Sequence, residues 1–187
     1  YDSNGNVISV QDLSKKNATY EYANNDLTKE VFPGGATLSY KYDAYHNVSE
    51  ASSGMGIKNQ FGYDEFGNNT SVKTLNSSDP SGAVIQTEAK YSSDGNYITQ
   101  IVDANRWTTA YTYDENTGNL SSIRNPLDTF TTRTKYSYDS MDRVVQISKM
   151  VNDMEGGPFN ATVKYTYDGD RLKSVSHSND NANETKY

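Results

Sequence analysis

The sequence contains no cysteine, which excludes disulfide bridges and metal sites with thiolate ligands. It has only two histidines, His46 and His177, so the pattern of nucleophile, histidine and carboxylate that serves covalent hydrolysis is not indicated. No segment approaches the run of about 18 apolar residues that a membrane-spanning helix needs. These absences remove several common enzyme chemistries and a membrane span from consideration.

Hydrophobic residues are also scarce, at 34% of the chain, with a mean hydropathy of -0.86. The net charge is -7, and such a surface repels a phosphate backbone, so nucleic acid is not expected as a partner. Aromatic residues nevertheless reach 12%, with 16 tyrosines, and this abundance indicates a folded chain. Its apolar burial must therefore depend on tyrosine rings, which combine a large apolar area with a polar hydroxyl.

The tyrosines are arranged in a tandem repeat. Anchor tyrosines, most preceded two residues earlier by another aromatic and followed by aspartate, recur at intervals of 20 to 29 residues: Tyr1, Tyr22, Tyr42, Tyr63, Tyr91, Tyr113, Tyr138, Tyr167 and Tyr187. The spacing predicts a single array of about eight repeats over residues 1–187. Because both ends fall on anchors, we expect the chain to be a fragment of a longer protein.

Each anchor is followed by a turn and then by a short apolar doublet. Turns such as Asp64-Glu-Phe-Gly-Asn68 contain a glycine that supplies a positive φ, and an aspartate that can bond the turn backbone. The two members of a doublet, such as Leu120 and Ile123, lie three positions apart, so either a β-bulge intervenes or both strand faces are covered. Strand segments rich in Thr, Val and Tyr predict an all-β fold of antiparallel hairpins, with about two strands in each repeat.

Two tyrosines separated by one residue point to the same face of a strand. Tyr111 and Tyr113 should therefore stand side by side, and the pair in the next repeat, Tyr136 and Tyr138, should lie at a similar place. Stacked repeats are then expected to form ladders of buried rings. Trp107, Phe130 and Phe159 precede their tyrosine pairs by even offsets, which places them on the same face if no bulge intervenes.

The pattern Tyr-x-Tyr-Asp-x-x-Gly-Asn followed by a branched aliphatic residue resembles the YD repeat of RHS proteins, and the resemblance covers essentially the whole chain. It implies a long β-sheet that spirals into a hollow shell, as in wall-associated proteins, Tc toxin shell subunits and teneurins. It also implies a secreted or cell-surface location and, in bacterial members, an enclosed C-terminal toxin. Carbohydrate binding has been another suggestion for such repeats.

The sequence departs from the family pattern in two respects. Family members commonly carry arginine after the turn glycine, whereas this chain has asparagine there, at Asn6, Asn68, Asn96 and Asn119. The protease-like motif Asp-Pro-x-Gly-Leu that ends the RHS core is absent, and the nearest match is the turn-like segment Asp79-Pro80-Ser81-Gly82-Ala83. Self-cleavage is therefore not expected.

No catalytic, cofactor-binding or metal-binding residue is predicted. One acidic residue recurs in each repeat, as at Asp43, Asp64, Asp114, Asp139 and Asp168, which is typical of a structural role, since a hydrolase needs a single local pair. Asp2 to Asn6 lacks the spacing and the final glutamate of a calcium loop. His46 is interpreted as a solvent-exposed turn residue.

Two functions remain in competition. The first is a non-enzymatic shell segment whose partners are neighbouring repeats, other domains of the parent protein and an enclosed C-terminal toxin. The alternative is a carbohydrate-binding module for cell-wall or surface glycans, with contacts at Tyr45, Phe66 and Trp107. Turn-tip residues such as Tyr45, Phe66 and Met141 could either pack on the neighbouring turn or form an exposed apolar ridge.

Overall fold

The computed structural model describes residues 1–76, 79, 82, 84–128, 132–153, 157–177 and 184–186. The anchor Tyr187 and the aromatic Phe130 lie outside these residues. The chain divides into two compact units, one formed by residues 1–96 and 103–106 and the other by residues 97–102 and 107–187. Whether the repeats form one array remains a prediction.

The first unit consists of eight strands, and each described strand pairs antiparallel with the next one in the chain. These are β1 (Ser9–Gln11), β2 (Asn17–Ala23), β3 (Asp26–Val31), β4 (Thr37–Tyr42), β5 (Val48–Ser53), β6 (Ile57–Tyr63), β7 (Asn69–Asn76) and β8 (Ile85–Tyr91). The anchor tyrosines lie at or next to the ends of β2, β4, β6 and β8.

The second unit repeats this arrangement with eight further described strands. These are β9 (Ile98–Val102), β10 (Thr108–Tyr113), β11 (Leu120–Arg124), β12 (Thr134–Tyr138), β13 (Val144–Asp153), β14 (Gly157–Asp168), β15 (Arg171–His177) and β16 (Glu184–Lys186). The described part of the chain contains no helix, and so none with the length and apolarity to cross a membrane. The prediction of an all-β fold of antiparallel hairpin repeats is confirmed.

A β-bulge recurs directly after the tyrosine turn of six repeats, and it resolves the three-residue spacing of the apolar doublets. In the hairpin of β10 and β11, Tyr111 pairs with Ile123, Thr112 with Ser122, and Tyr113 with Leu120, so that Ser121 is the extra residue. The same shift occurs beside Tyr22, Tyr42, Tyr63, Tyr138 and Tyr167. The extra residue brings both members of a doublet to the face on which the two tyrosines stand.

The residue between the two tyrosines lies on the opposite face, and the cross-strand pairs there are polar. Glu21 faces Lys29, with Nζ and Oε1 3.0 Å apart, and Lys41 faces Glu50 at the same distance. In the second unit hydroxyl pairs replace the ion pairs, as in Thr112 with Ser122, whose oxygens are 2.7 Å apart. Each unit therefore has a tyrosine face and a polar face.

The described residues include no buried hydrophobic residue, and the paired tyrosines are half-buried. The rings of the tyrosine ladders are therefore only partly buried. The contact of Tyr97 with Tyr113, with ring centroids 4.8 Å apart, is the one ring-to-ring pair found among the described residues. A single layer of sheet leaves both of its faces accessible, so stability must come from contacts between neighbouring strands and repeats.

Candidate functional site

Six anchor tyrosines each join their repeat to the one before it through the hydroxyl group. The hydroxyl donates a hydrogen bond to the backbone carbonyl oxygen of a residue that follows the preceding turn. The distances are 2.8 Å for Tyr42 to Leu27, 2.9 Å for Tyr63 to Val48, 3.1 Å for Tyr91 to Asn69, 2.9 Å for Tyr113 to Ile98, 2.9 Å for Tyr138 to Leu120 and 2.8 Å for Tyr167 to Val144. Burial raises the pKa of Tyr42, Tyr113 and Tyr138, so these phenols remain protonated donors at neutral pH.

For five of these six bonds, the acceptor carbonyl belongs to the residue that pairs with the preceding anchor. Leu120, for example, is the cross-strand partner of Tyr113 and accepts the hydrogen bond of Tyr138. Because the bulge sits at this pair, the ladder of backbone hydrogen bonds is interrupted there, and the tyrosine of the next repeat supplies a donor. The anchor is thus both an apolar surface and a specific polar link between repeats.

The turn aspartate stabilises its own turn by accepting hydrogen bonds within it. In the first repeat Asp2 Oδ1 accepts hydrogen bonds from the backbone N–H groups of Asn4 and Asn6, at 2.9 and 2.8 Å, and Oδ2 accepts one from the amide of Asn6 at 3.0 Å. The hydrogen bond from the Asn6 side chain is the main cause that lowers the pKa of Asp2. The predicted structural role of the recurring aspartates agrees with this geometry at Asp43, Asp64, Asp114 and Asp139.

The side chain of the residue four positions after the aspartate donates a further hydrogen bond to the carboxylate. Asn6, Asn47 and Asn68 donate from their side-chain amides to the aspartate Oδ2, and Arg143 does the same from Nε to Asp139 at 2.8 Å. The asparagines therefore make the aspartate contact that arginine makes at residue 143. Arg143 also places its guanidinium carbon 4.3 Å from the ring centroid of Tyr167.

At five turns, a residue at or near the end of the turn also reaches the neighbouring turn. Its contact there is the residue that adopts a left-handed backbone conformation. The pairs are Asn6 with Asn25, Asp26 with His46, Asn68 with Gly95, Asn119 with Asp142 and Arg143 with Gly169. In the sequence, the recurring asparagine is visible only as a departure from the family pattern, and this link between turns could not be predicted from it.

Some turn-tip side chains pack on the neighbouring turn, and others are exposed to solvent. Phe66 packs on the next turn, because a Cβ placed on Gly95 would lie 2.6 Å from its ring, yet 54% of Phe66 is exposed. Tyr45 is 84% exposed and Met141 57%. His46 lies at its turn tip as expected, with Nδ1 2.8 Å from Asp26 Oδ2 and a side chain that is 65% exposed.

The residues predicted to contact glycan are not gathered into one site by anything the structure describes. Tyr45 and Phe66 occupy adjacent tyrosine turns of the first unit, and Trp107, 51% exposed, precedes β10 in the second unit. The glycan contacts remain a prediction. Among the described residues, no group of three or more His, Asp or Glu side chains is arranged to hold a metal ion.

Known proteins resemble the chain in sequence. Residues 91–129 match the family model described as RHS Repeat. Over 124 residues, or 61% of the chain, it is 31% identical to the tRNA nuclease WapA of Bacillus subtilis strain 168 and 30% identical to the tRNA3(Ser)-specific nuclease WapA of Bacillus spizizenii. The chain spans only 5% of the length of each of these relatives.

Solved structures share the fold. A crystal structure of TcdB2-TccC3-Cdc42 superposes with a TM-score of 0.61 at 18% identity, covering 92% of this chain and 9% of that one. The Photorhabdus luminescens Tc holotoxin pore gives a TM-score of 0.59 at 19% identity, covering 87% and 9%. These structures show the fold alone, whereas the matched repeat model and the WapA relatives support the assignment of the repeat to the RHS, or YD, type.

Proposed function

We propose that the chain is a non-enzymatic wall segment of a larger RHS-repeat protein, and that its sheet forms part of a β-shell enclosing or displaying a toxin domain. The observation that carries the proposal is the single-layer sheet, which has no buried hydrophobic residue in its described part. Its polar links, from tyrosine hydroxyl to carbonyl and from turn to turn, connect each repeat to the next. Such an array can be extended without a central core, as a wall requires.

The similar proteins support this assignment by what their names state. The WapA relatives are named as tRNA nucleases, and the structural neighbours include a Tc holotoxin pore. The chain corresponds to 5% of the former and 9% of the latter, so their activities need not reside in the matched segment. A secreted or cell-surface location belongs to the same proposal.

The proposal assigns no chemistry to the chain itself. The turn carboxylates recur in equivalent environments and accept hydrogen bonds from their own turn, so no pair is set apart for acid and base roles. We expect the purified chain to leave tRNA intact over hours of incubation. The insert in the long repeat from Tyr138 to Tyr167 contains two acids outside the turn pattern, Asp153 and Glu155. Cleavage by the wild type that is absent from a matched preparation of Asp153→Asn with Glu155→Gln would contradict the assignment and locate an active site in that insert.

The proposed shell can be tested by determining which face of the sheet contacts the enclosed domain. Ile57 and Gln60 are exposed and lie on opposite faces of β6, as their registers with Asn76 and Lys73 show. A photo-cross-linking amino acid is introduced at either position in the longer protein that this proposal requires. A wall predicts cross-links to the enclosed domain from one position and not from the other. Equal cross-linking from both would contradict a wall.

A second candidate, glycan binding, is favoured only by the exposure of Tyr45 and Trp107, at 84% and 51%. Aromatic faces that remain accessible to solvent can stack on sugar rings. Trp107 is the only tryptophan of the chain, so its fluorescence reports its own surroundings. A change in this signal on addition of cell-wall oligosaccharide, abolished in Trp107→Ala and kept in Met141→Ala, would favour this function.

A further inference from the structure

A polar cleft of about 200 Å³ lies on the polar face of the second unit, across β12, β13 and β14. Its position follows from strand register, because Lys135 pairs with Ser148 and Ser148 pairs with Thr162. The neighbouring pair of Met150 with Asn160 extends it along the strands. The lining residues are Arg133, Lys135, Gln146, Ser148, Met150, Asn160 and Thr162.

The charge of this cleft is opposite to that of the protein. The chain has a net charge of -7, whereas the described lining contributes Arg133 and Lys135 and no carboxylate. A nearby acid, Asp128, is bonded to Lys149 at 2.8 Å, and Lys149 pairs with Thr134 on the tyrosine face. The carboxylate therefore neutralises a cation on the opposite side of the sheet.

The remaining lining groups are mostly hydrogen-bonding side chains of neutral charge. Gln146 and Asn160 carry amide N–H groups, and Ser148 and Thr162 carry hydroxyls, so all four can donate. A guanidinium, an ammonium and several neutral donors around one small space match the acceptor oxygens of an anion. The volume is below the roughly 300 Å³ of drug-sized pockets, so it suits a small group.

We propose that this cleft binds a small oxyanion, namely a phosphate, sulfate or carboxylate group. The Arg133 guanidinium and the Lys135 ammonium supply the charge, and the amide and hydroxyl donors set the orientation. The site is independent of the tyrosine turns and of the shell function. It gives an acidic repeat protein one local surface with a preference for anions.

The test is a titration of the isotope-labelled full chain with inorganic phosphate, followed by nuclear magnetic resonance of the backbone amides at constant ionic strength. Shifts should be concentrated at residues 133–135, 146–150 and 160–162. Lys135 is exposed, so Lys135→Gln should fold normally while weakening the affinity about tenfold through loss of a charge-assisted hydrogen bond. Lys173→Gln removes the same charge from an exposed position outside the cleft and should bind as the wild type does.

Parallel titrations with sulfate and acetate identify the anion. Stronger binding of phosphate and sulfate supports a tetrahedral oxyanion as the ligand, and stronger binding of acetate supports a carboxylate. Shifts spread evenly over the lysines, or an equal loss in Lys135→Gln and Lys173→Gln, would show general charge attraction and overturn the proposal. Absence of any saturable shift up to about 50 mM, where a site with a millimolar Kd would be filled, would overturn it as well.

Discussion

The hydroxyl of Tyr138 lies 2.9 Å from the carbonyl oxygen of Leu120, and Leu120 is itself the cross-strand partner of Tyr113. Two successive anchors thus meet on one residue, the first through strand pairing and the second through a side-chain hydrogen bond. The bulge at Leu120 interrupts the regular ladder where the hydroxyl arrives. This relationship recurs at other anchors and explains why the repeat requires tyrosine, which combines an aromatic ring with a hydroxyl donor.

Replacement of Tyr138 by phenylalanine should lower the free energy of unfolding by about 1 kcal/mol, because the carbonyl of Leu120 loses its donor while the ring contacts remain. Tyr136→Phe is the matched control, since the described residues offer no hydrogen bond to the Tyr136 hydroxyl. Urea denaturation of both variants measures the difference. Equal losses would mean that the hydroxyl link contributes nothing specific.

Gly95 and Gly67 both have positive φ, at 74° and 83°, but they differ in their surroundings. A Cβ on Gly95 would lie 2.6 Å from the ring of Phe66, whereas nothing lies within 4 Å of one on Gly67. Asparagine tolerates the left-handed region, so Gly67→Asn should cost less than about 1 kcal/mol. Gly95→Asn should cost about 1–3 kcal/mol more because of overpacking.

The role of Phe66 in that difference can be separated by a double variant. Phe66→Ala should remove most of the additional cost of Gly95→Asn, because the crowded ring is gone. Thermal unfolding of the two single variants and the double variant forms the cycle. If the stability losses of Gly95→Asn and Phe66→Ala are additive in the double variant, contact with Phe66 does not explain why residue 95 is a glycine.

Arg143 holds Asp139, the carbonyl of Gly169 and the ring of Tyr167 at once. In other repeats an asparagine donates a hydrogen bond to the turn aspartate. Arg143→Asn should therefore keep the hydrogen bond to Asp139 and lose the contact with the Tyr167 ring, which should lower the free energy of unfolding by about 0.5–1 kcal/mol. Arg143→Ala should lose every contact and cost about 1–3 kcal/mol. Chemical denaturation ranks the two variants, and a larger loss in Arg143→Asn would contradict the assigned roles.

Glu50 lies between Lys41 and Lys58, with Nζ to carboxylate distances of 3.0 and 3.2 Å. The hydrogen bond from Lys41, followed by that from Lys58, lowers the pKa of Glu50. A lowered folded-state pKa means that this stabilisation is present above the unfolded value of about 4.3 and is lost as pH falls through the folded value. Glu50→Gln should therefore flatten the loss of stability on acidification below about pH 5.

Melting temperatures measured from pH 3 to pH 7 provide this comparison. Glu65→Gln is the control, because Glu65 is exposed at a turn tip. It should leave the pH dependence of the wild type unchanged. If the melting temperatures of Glu50→Gln and the wild type depend on pH in the same way, the two ion pairs of Glu50 do not contribute to stability.

Much of the fold could be predicted from the sequence because the same anchor and turn residues recur along the chain. The anchors predicted the hairpins, and turn glycines such as Gly67, together with His46, marked turn residues that do adopt positive φ. The candidate site was harder to predict. The three-residue spacing of Leu120 and Ile123 left two explanations open, and only the register showed a bulge at Ser121.

The sequence by itself determined the period, the β class, the position of the turns and the structural use of the turn aspartates. These are local properties, set by the left-handed turn residues, by β-propensity and by hydrogen bonds within a few residues. The tertiary structure decided which groups meet across a repeat, such as Tyr138 with Leu120 and Asn68 with Gly95, and it left the tyrosine rings half-buried instead of buried. The physical reason is that inter-repeat contacts depend on strand register, and one bulged residue reassigns every side chain beyond it to a new face.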